Sequence, residues 1–335
     1  MNSVRRFIVA GLASALAAIG GCGGGGGGGL DPVAGIGGTG KIASGTITGF
    51  GSIFVNGVEY DIDAASIEIN DDVSAELGQD DLRIGMVVTV SAVVEGSSGV
   101  ASLVVYDSEV EGPVSGLSEE AGGLAKSFSV LGINVLVDIA DTEFDDGEAP
   151  GFSFATMADS DLVEISGFFD GSNVLNATYI KKIGNFVLGT SEVEIKGSPD
   201  SGTDAGAGDS FTIDGVTVNI LATADLSEVA GGRVSDDMFV EIEGTLTNDN
   251  QPTIDAVRIE QEEEGLDEDA GETELEGLVS NFVDDSDFTL AGQRVDASDA
   301  EFEPAGLVLR DGLRVEVEGI VEGGILKARK VELED

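Results

Sequence analysis

ELEGLVSNFVDDSDFTLAGQRVDASDAEFEPAGLVLRDGLRVEVEGIVEGGILKARKVELED, residues 274 to 335, is the stretch that decides the fold. Phe288 alternates with Leu290, Val315 with Val317 and Val331 with Leu333, each apolar residue separated from the next by one other position. A period of two over short runs punctuated by glycine is the signature of half-buried strands joined by tight turns. This stretch is therefore a small all-β module.

Working outward, the same landmarks return three times. An apolar-x-apolar-x-Gly pattern, with a further apolar residue three places on, occurs at Ile53/Val55/Gly57/Tyr60, Phe128/Val130/Gly132/Val135, Phe211/Ile213/Gly215/Val218 and Phe288/Leu290/Gly292/Val295. Each of these glycines falls between two alternating segments, as a hairpin turn needing positive φ requires. A second strand recurs at Val87–Val90, Leu162–Ile165, Phe239–Ile242 and Arg314–Val317, ending two residues later in Gly167, Gly244 and Gly319, with Ala92 in the first copy. A closing strand carries Ala101/Val104, Ala177/Ile180, Ala256/Ile259 and Ala328/Val331, and an opening strand carries Ser44-Gly45, Glu111-Gly112, Lys196-Gly197 and Glu276-Gly277.

Each copy thus has about five strands, with a longer connection before the fourth in which Ser74–Leu77 and Ala224–Leu226 suggest a helical turn. The expected fold is all-β: four tandem small five-stranded OB-like β-barrels, of the oligonucleotide/oligosaccharide-binding kind, with a row of small open sandwiches as the alternative. The expected divisions are repeats at 45–110, 111–183, 193–260 and 274–335, a linker at 184–192 and an acidic linker at 261–273. Alternation places Phe128, Phe211 and Phe288 in the cores.

GTITGFGSIFVNGVEYDID (Gly45 to Asp63), followed by DLRIGMVVTV (Asp81 to Val90), resembles a domain family of unknown function found singly and in tandem in bacterial exported proteins and lipoproteins. The resemblance is close in the first copy and looser in the others, which lack Gly-Phe-Gly before the strand. It implies tandem barrels and an exported location, and it brings no catalytic residues.

The other end of the chain agrees with export. Arg5 and Arg6 precede an apolar run from Phe7 to Ile19, too short to span a membrane as a helix and suited to a signal-peptide core. Ile19-Gly20-Gly21-Cys22 resembles the lipobox of bacterial lipoproteins, which implies cleavage after residue 21 and a diacylglycerol on the thiol of Cys22. Residues 1–21 are therefore expected to be a signal peptide, and 22–44 a lipidated cysteine with a glycine-rich tether that includes Gly23 to Gly29. Gly23 is not the Asp of an inner-membrane retention signal, so the expected location is the bacterial cell envelope, at the outer membrane. As the only cysteine, Cys22 leaves nothing for a disulfide.

The chain has 64 acidic and 16 basic residues and no histidine. Loss of a leader carrying Arg5 and Arg6 leaves 14 basic residues against 64 acidic, a balance of −50. Such a polyanion repels phosphate backbones, which excludes nucleic acid as a partner. Zinc sites and the commonest general base are excluded with histidine, so no enzyme and no resident cofactor is expected.

Calcium is the ion that clustered carboxylates would suit. The densest candidates are Asp141, Asp145 and Asp146 in DTEFDDGE, and Asp284, Asp285 and Asp287 in DDSD. Neither has the spacing of a calcium loop, and polar turns explain both more simply. The expected function is a non-enzymatic, lipid-anchored binding or spacer module that meets the membrane through Cys22 and an unidentified protein or glycan through its loops. The alternatives are a calcium-dependent structural or adhesion protein and an oligosaccharide-binding lipoprotein.

Overall fold

In a computed structural model the described residues are 39–74, 76–147, 150–262 and 271–334. The leader, Cys22 and the polyglycine run lie outside them, as does most of the acidic linker.

Repeat 1 is built from β1 (Thr39–Gly49), β2 (Ile53–Val55), β3 (Val58–Asp61), β4 (Ser66–Ile69), β5 (Val87–Glu95) and β6 (Ser98–Tyr106). β1 pairs antiparallel with β2 and β5, β2 with β3, and β5 with β6, while β3 and β4 run parallel to β6. The sheet thereby closes on itself as a five-stranded barrel, with β4 prolonging the third strand.

Repeat 2 comprises β7 (Val110–Pro113), β8 (Ser115–Glu119), β9 (Ala125–Val130), β10 (Ile133–Asp138), β11 (Glu143–Asp145), β12 (Asp161–Phe169) and β13 (Val174–Asn185), its first strand broken between β7 and β8. Repeat 3 comprises β14 (Glu192–Gly197), β15 (Asp204–Ala205), β16 (Ser210–Ile213), β17 (Val216–Asp225), β18 (Val234–Ser235), β19 (Phe239–Asn248) and β20 (Thr253–Glu262). Here the first strand stops early, and the following loop carries β15, which pairs with β18 in a separate two-stranded piece. Repeat 4 comprises β21 (Glu272–Asp284), β22 (Asp287–Leu290), β23 (Gln293–Asp296), β24 (Glu301–Glu303), β25 (Arg314–Glu322) and β26 (Ile325–Leu333), closed in the same order as repeat 1.

The hairpins behave as the pattern demands. Gly57, Gly132, Gly215 and Gly292 have φ of 70, 87, 82 and 77°, and the residues before them, Asn56, Leu131, Asp214 and Ala291, are also positive. Two consecutive positive φ values make a type I′ turn, whose twist matches that of the strands it joins. The second glycine class answers to close approach. At Gly167, Gly244 and Gly319 the strand bulges against its partner, and a Cβ would run into the backbone oxygen of Asn176, Asp255 or Lys327. Phe128, Phe211 and Phe288 are buried, as expected.

Three expectations differ from the structure. Strand begins at Thr39 rather than near residue 45, because the first half of β1 is held between β5 and β21. β13 continues to Asn185, inside the segment read as a linker. In repeats 1, 2 and 4 the long connection holds a short strand, because the third strand pairs with only the first half of the last one, and the helical turn of repeat 1 is a single 3-10 turn at Gln79–Asp81, just beyond Ser74–Leu77. β3 pairs Ser98–Val100, leaving Leu103–Tyr106 to β4. In repeat 3 the long β17 serves both purposes, and Asp225 ends it.

The repeats combine in nested order. Repeats 1 and 4 share one twelve-stranded sheet through parallel pairing of β1 with β21, and repeats 2 and 3 share another through antiparallel pairing of β7 with β14. Val110 lies opposite Ile195 across that second seam, and the cores of repeats 2 and 3 run together into one. Repeats 1 and 4 keep separate cores, with Tyr179 of repeat 2 completing that of repeat 1.

Candidate functional site

Alternation along the shared sheet of repeats 2 and 3 turns Val110, Val163, Ile165, Val193, Ile195, Val240 and Ile242 into the core. The residues between them face the other way, and the register lines them up across six strands. Lys181 lies opposite Glu164, Glu164 opposite Glu111, Glu111 opposite Glu194, Glu194 opposite Glu243, and Glu243 opposite Arg258. Four glutamates thus stand side by side between one lysine and one arginine. Like charges directly opposite destabilise a sheet even when solvated, and this face is covered.

Repeat 1 provides the cover. Tyr106 Oη donates to Glu164 Oε1 at 2.9 Å, and its ring meets that of Tyr179 edge-on at 6.3 Å. Val87 N–H donates to Ser166 Oγ at 3.0 Å, and Arg258 reaches Asp71 at 3.1 Å. Glu164, Glu241 and Glu260 retain 4, 2 and 3% exposure.

Two internal cations hold the joint. Lys196 Nζ pairs with Asp107 and lies 3.3 Å from Glu241 Oε2 and 4.0 Å from Glu194 Oε1. Arg258 pairs with Glu243 at 2.8 Å, with Asp71 and with Glu260. The carboxylate triads Asp107/Glu194/Glu241 and Asp71/Glu241/Glu243 each bring oxygens within 4.8 Å of one another, the kind of grouping that suits a hard cation. In each, the ammonium of Lys196 or the guanidinium of Arg258 already stands among the carboxylates.

The cations do not match the acids in number. Glu109, Glu111 and Glu262 join the same neighbourhood, and Asp107 Oδ1, Glu194 Oε1, Glu241 Oε2, Glu260 Oε2 and Glu262 Oε1 are buried without a hydrogen bond among the described residues. Burial, reinforced by the neighbouring carboxylates, pushes Glu109, Glu111, Glu241 and Glu262 up to about 7 and Asp71 up to about 6. Glu194 is driven up by burial and by Glu241. Burial works against the charge on Lys196, but Asp107, Glu241 and Glu194 outweigh it and raise its pKa.

Residues 39–104, 111–181, 200–260 and 276–332 each match a family described as Domain of unknown function (DUF5666). The chain belongs to this family. No curated protein matches it.

The four DUF5666 repeats place one pair of positions in register on the outward face of their first and fourth strands. The pair is Ser44 with Thr89 in repeat 1, Glu111 with Glu164 in repeat 2, Lys196 with Glu241 in repeat 3 and Glu276 with Glu316 in repeat 4. Repeat 4 uses its pair for the second joint. Glu276 accepts from Arg314 Nε at 2.6 Å and from Thr46 N–H of repeat 1 at 2.7 Å. Glu316 is pushed up to about 10 by burial and by Glu274, whose own partner is Lys41 of repeat 1.

The aspartates that stand out in sequence are elsewhere, on two separate repeats. Asp145 accepts from Gly147 N–H at 2.8 Å, Tyr179 Oη at 3.0 Å and Arg83 Nε at 3.1 Å, which ties repeat 2 to repeat 1. Partial burial opposes its charge, but these three donors hold it below the usual carboxylate range. Asp146 accepts from Gly151 N–H at 3.0 Å. Asp141 lines a cavity of about 220 Å³ between repeats 2 and 4, beside Phe168 and Arg314. Asp284 caps a turn by accepting from Ser286 N–H at 2.9 Å, Asp285 O accepts from Ala297 N–H at 2.7 Å, and Asp287 pairs with Arg294 at 2.9 Å. None of the six belongs to either triad. The signal for the glutamate row is in the sequence, as the alternation of EVEIK (192–196) and VEIE (240–243), but alternation alone does not tell a solvated outer face from a covered one.

Proposed function

We propose that this chain is a non-enzymatic, lipid-anchored protein of the bacterial envelope, in which four OB-like barrels form one binding or spacer body held off the membrane by the glycine tether. The observation that carries this reading is the nested docking of the repeats. The most unusual groups of the chain, its buried carboxylates, hold repeats together and sit out of reach of a substrate. The strand order in repeats 1 and 4 is first, second, third, fifth, fourth and back to first, with the third parallel to the fifth, and it supports the OB-like assignment. Ile19-Gly20-Gly21-Cys22 supports the anchor.

Metabolic labelling with palmitate tests the anchor: the chain takes up label and its Cys22→Ser form does not, and equal labelling of the two refutes it. No resident calcium belongs to this reading, since Lys196 and Arg258 occupy the two triads. One feature favours oligosaccharide binding as the second reading. An open cleft of about 980 Å³ lies on β16 and β17 of repeat 3, lined by Asn219, Asp255, Asp209 and Arg233. Glycan-array binding that survives moderate salt and is lost in Asn219→Ala supports it, and a blank array removes it.

A further inference from the structure

The nested fold buries a face that is mostly acid. On the sheet side it presents Glu111 from β7, Glu164 from β12, Lys181 from β13, Glu194 and Lys196 from β14 with Glu192 at its exposed end, Glu241 and Glu243 from β19, and Arg258, Glu260 and Glu262 from β20. Repeat 1 and the segment leading out of it add Asp71, Tyr106, Asp107 and Glu109. Three cations face all of these carboxyl groups. A buried carboxylate oxygen without a hydrogen bond is penalised by desolvation, and among the described residues five such oxygens are gathered here, only two of them, Glu241 Oε2 and Glu194 Oε1, beside the ammonium of Lys196. A proton on some of these groups removes both the charge and the missing bond, because a carboxylic acid can donate to its neighbour across the row.

We propose that the joint between repeat 1 and the shared sheet of repeats 2 and 3 is a proton-dependent latch, docked while some of its crowded, buried carboxyl groups hold protons and loosened when they ionise. The sign follows from the direction of the shifts. Once undocked, Glu109, Glu111 and Glu241 face water and titrate near their ordinary value of about 4.5, whereas docked, with burial against them, they titrate near 7. Docking is therefore fully favoured below the lower value and weakens as pH rises through the higher one. The contacts that remain, among them Arg83 with Asp145 and the Tyr106–Tyr179 ring pair, keep repeat 1 tethered nearby rather than freeing it.

The joint has its own reporters. The chain has no tryptophan and three tyrosines, two of which, Tyr106 and Tyr179, lie in the joint. The purified chain is followed from pH 5 to 8.5 by tyrosine emission and small-angle scattering, with far-UV circular dichroism as the control for folding. The expected result is a transition centred near pH 7 in emission and radius of gyration, at constant strand content. The double variant Glu111→Gln/Glu241→Gln, which mimics the protonated row, moves that transition up by about one pH unit or more. Should it fail to fold, Glu262→Gln at the edge of the row gives a smaller shift of the same sign. Superimposable curves across the range overturn the proposal, as does a transition that neither variant moves. Closure at pH 8 by one calcium ion per chain overturns it too, because a metal and not protons would then balance the row.

Discussion

Replacing Lys196 by methionine keeps the length of the side chain and removes the charge around which Asp107, Glu194 and Glu241 are arranged. At an effective dielectric constant of about 20, a unit charge 3.3 Å from Glu241 is worth about 5 kcal/mol and one 4.0 Å from Glu194 about 4 kcal/mol. Most of this is offset by the desolvation of an ammonium group that is 10% exposed. What the variant loses is the compensation of carboxylates left buried, about 3–5 kcal/mol for breaking such a pair. That loss belongs to the docked joint with part of its carboxyl groups ionised, at pH values just below 7. As pH falls further, Glu194 and Glu241, whose pKa values are raised by burial, take up protons and need the lysine less. Urea unfolding of Lys196→Met at pH 6.5, where the joint is still docked, and at pH 5 should therefore show the larger loss at pH 6.5 and less than half of it at pH 5. Lys327→Met is the reference, since its pair with Asp296 is 44% exposed on the lysine side and worth under about 1 kcal/mol. A loss below about 1 kcal/mol at pH 6.5, or equal losses at the two pH values, would refute the reasoning.

Other parts of the molecule give independent tests. Gly244→Ala places a methyl group 2.5 Å from the carbonyl oxygen of Asp255, so repeat 3 should lose about 2 kcal/mol or more, seen as a lower urea midpoint; a neutral substitution would show that the bulge relaxes freely. Phe288→Ala empties the core of repeat 4 and should cost about 3–5 kcal/mol, with hydrogen exchange speeding up first in β21 to β26 and little in repeats 2 and 3. Burial, aided by nearby carboxylates, raises the pKa of Tyr60, Tyr106 and Tyr179, so the fold favours the neutral phenol and loses stability as pH climbs past the ordinary value of about 10. Phenolate absorbance should stay flat to about pH 11 and then rise together with unfolding. A separate tyrosine titration near pH 10 in folded protein would contradict it.

Much of each barrel was legible because it is local. The alternation around Phe128, Phe211 and Phe288 and the turn glycines that follow report the immediate fate of a few residues. The positive φ of Leu131 and Ala291 was not legible, since neither residue favours it and each adopts it only because the hairpin twist requires a matched pair. The short strands β4, β11 and β24 depend on how far the third strand covers the last, a matter of register rather than composition. The joint was hidden for a related reason. Acidic runs such as DTEFDDGE draw the eye, whereas the carboxylates that meet arrive one or two per strand, and Asp71 meets its arginine 187 residues away. Their crowding is created by nested packing, which no single repeat encodes.

That nesting also sets an order of assembly. Repeats 2 and 3 are neighbours in sequence and can join β7 to β14 as soon as both have been made. Repeat 1 emerges first, yet one edge of β1 finds its partner only when Leu275 and its neighbours arrive to lie beside Ser44. Until then the chain presents an open strand edge, the feature that invites pairing with other chains, and the long loop to be closed makes this step the slow one. In a solenoid each repeat touches only its neighbours in sequence, whereas here the first of the four repeats is joined directly to the fourth.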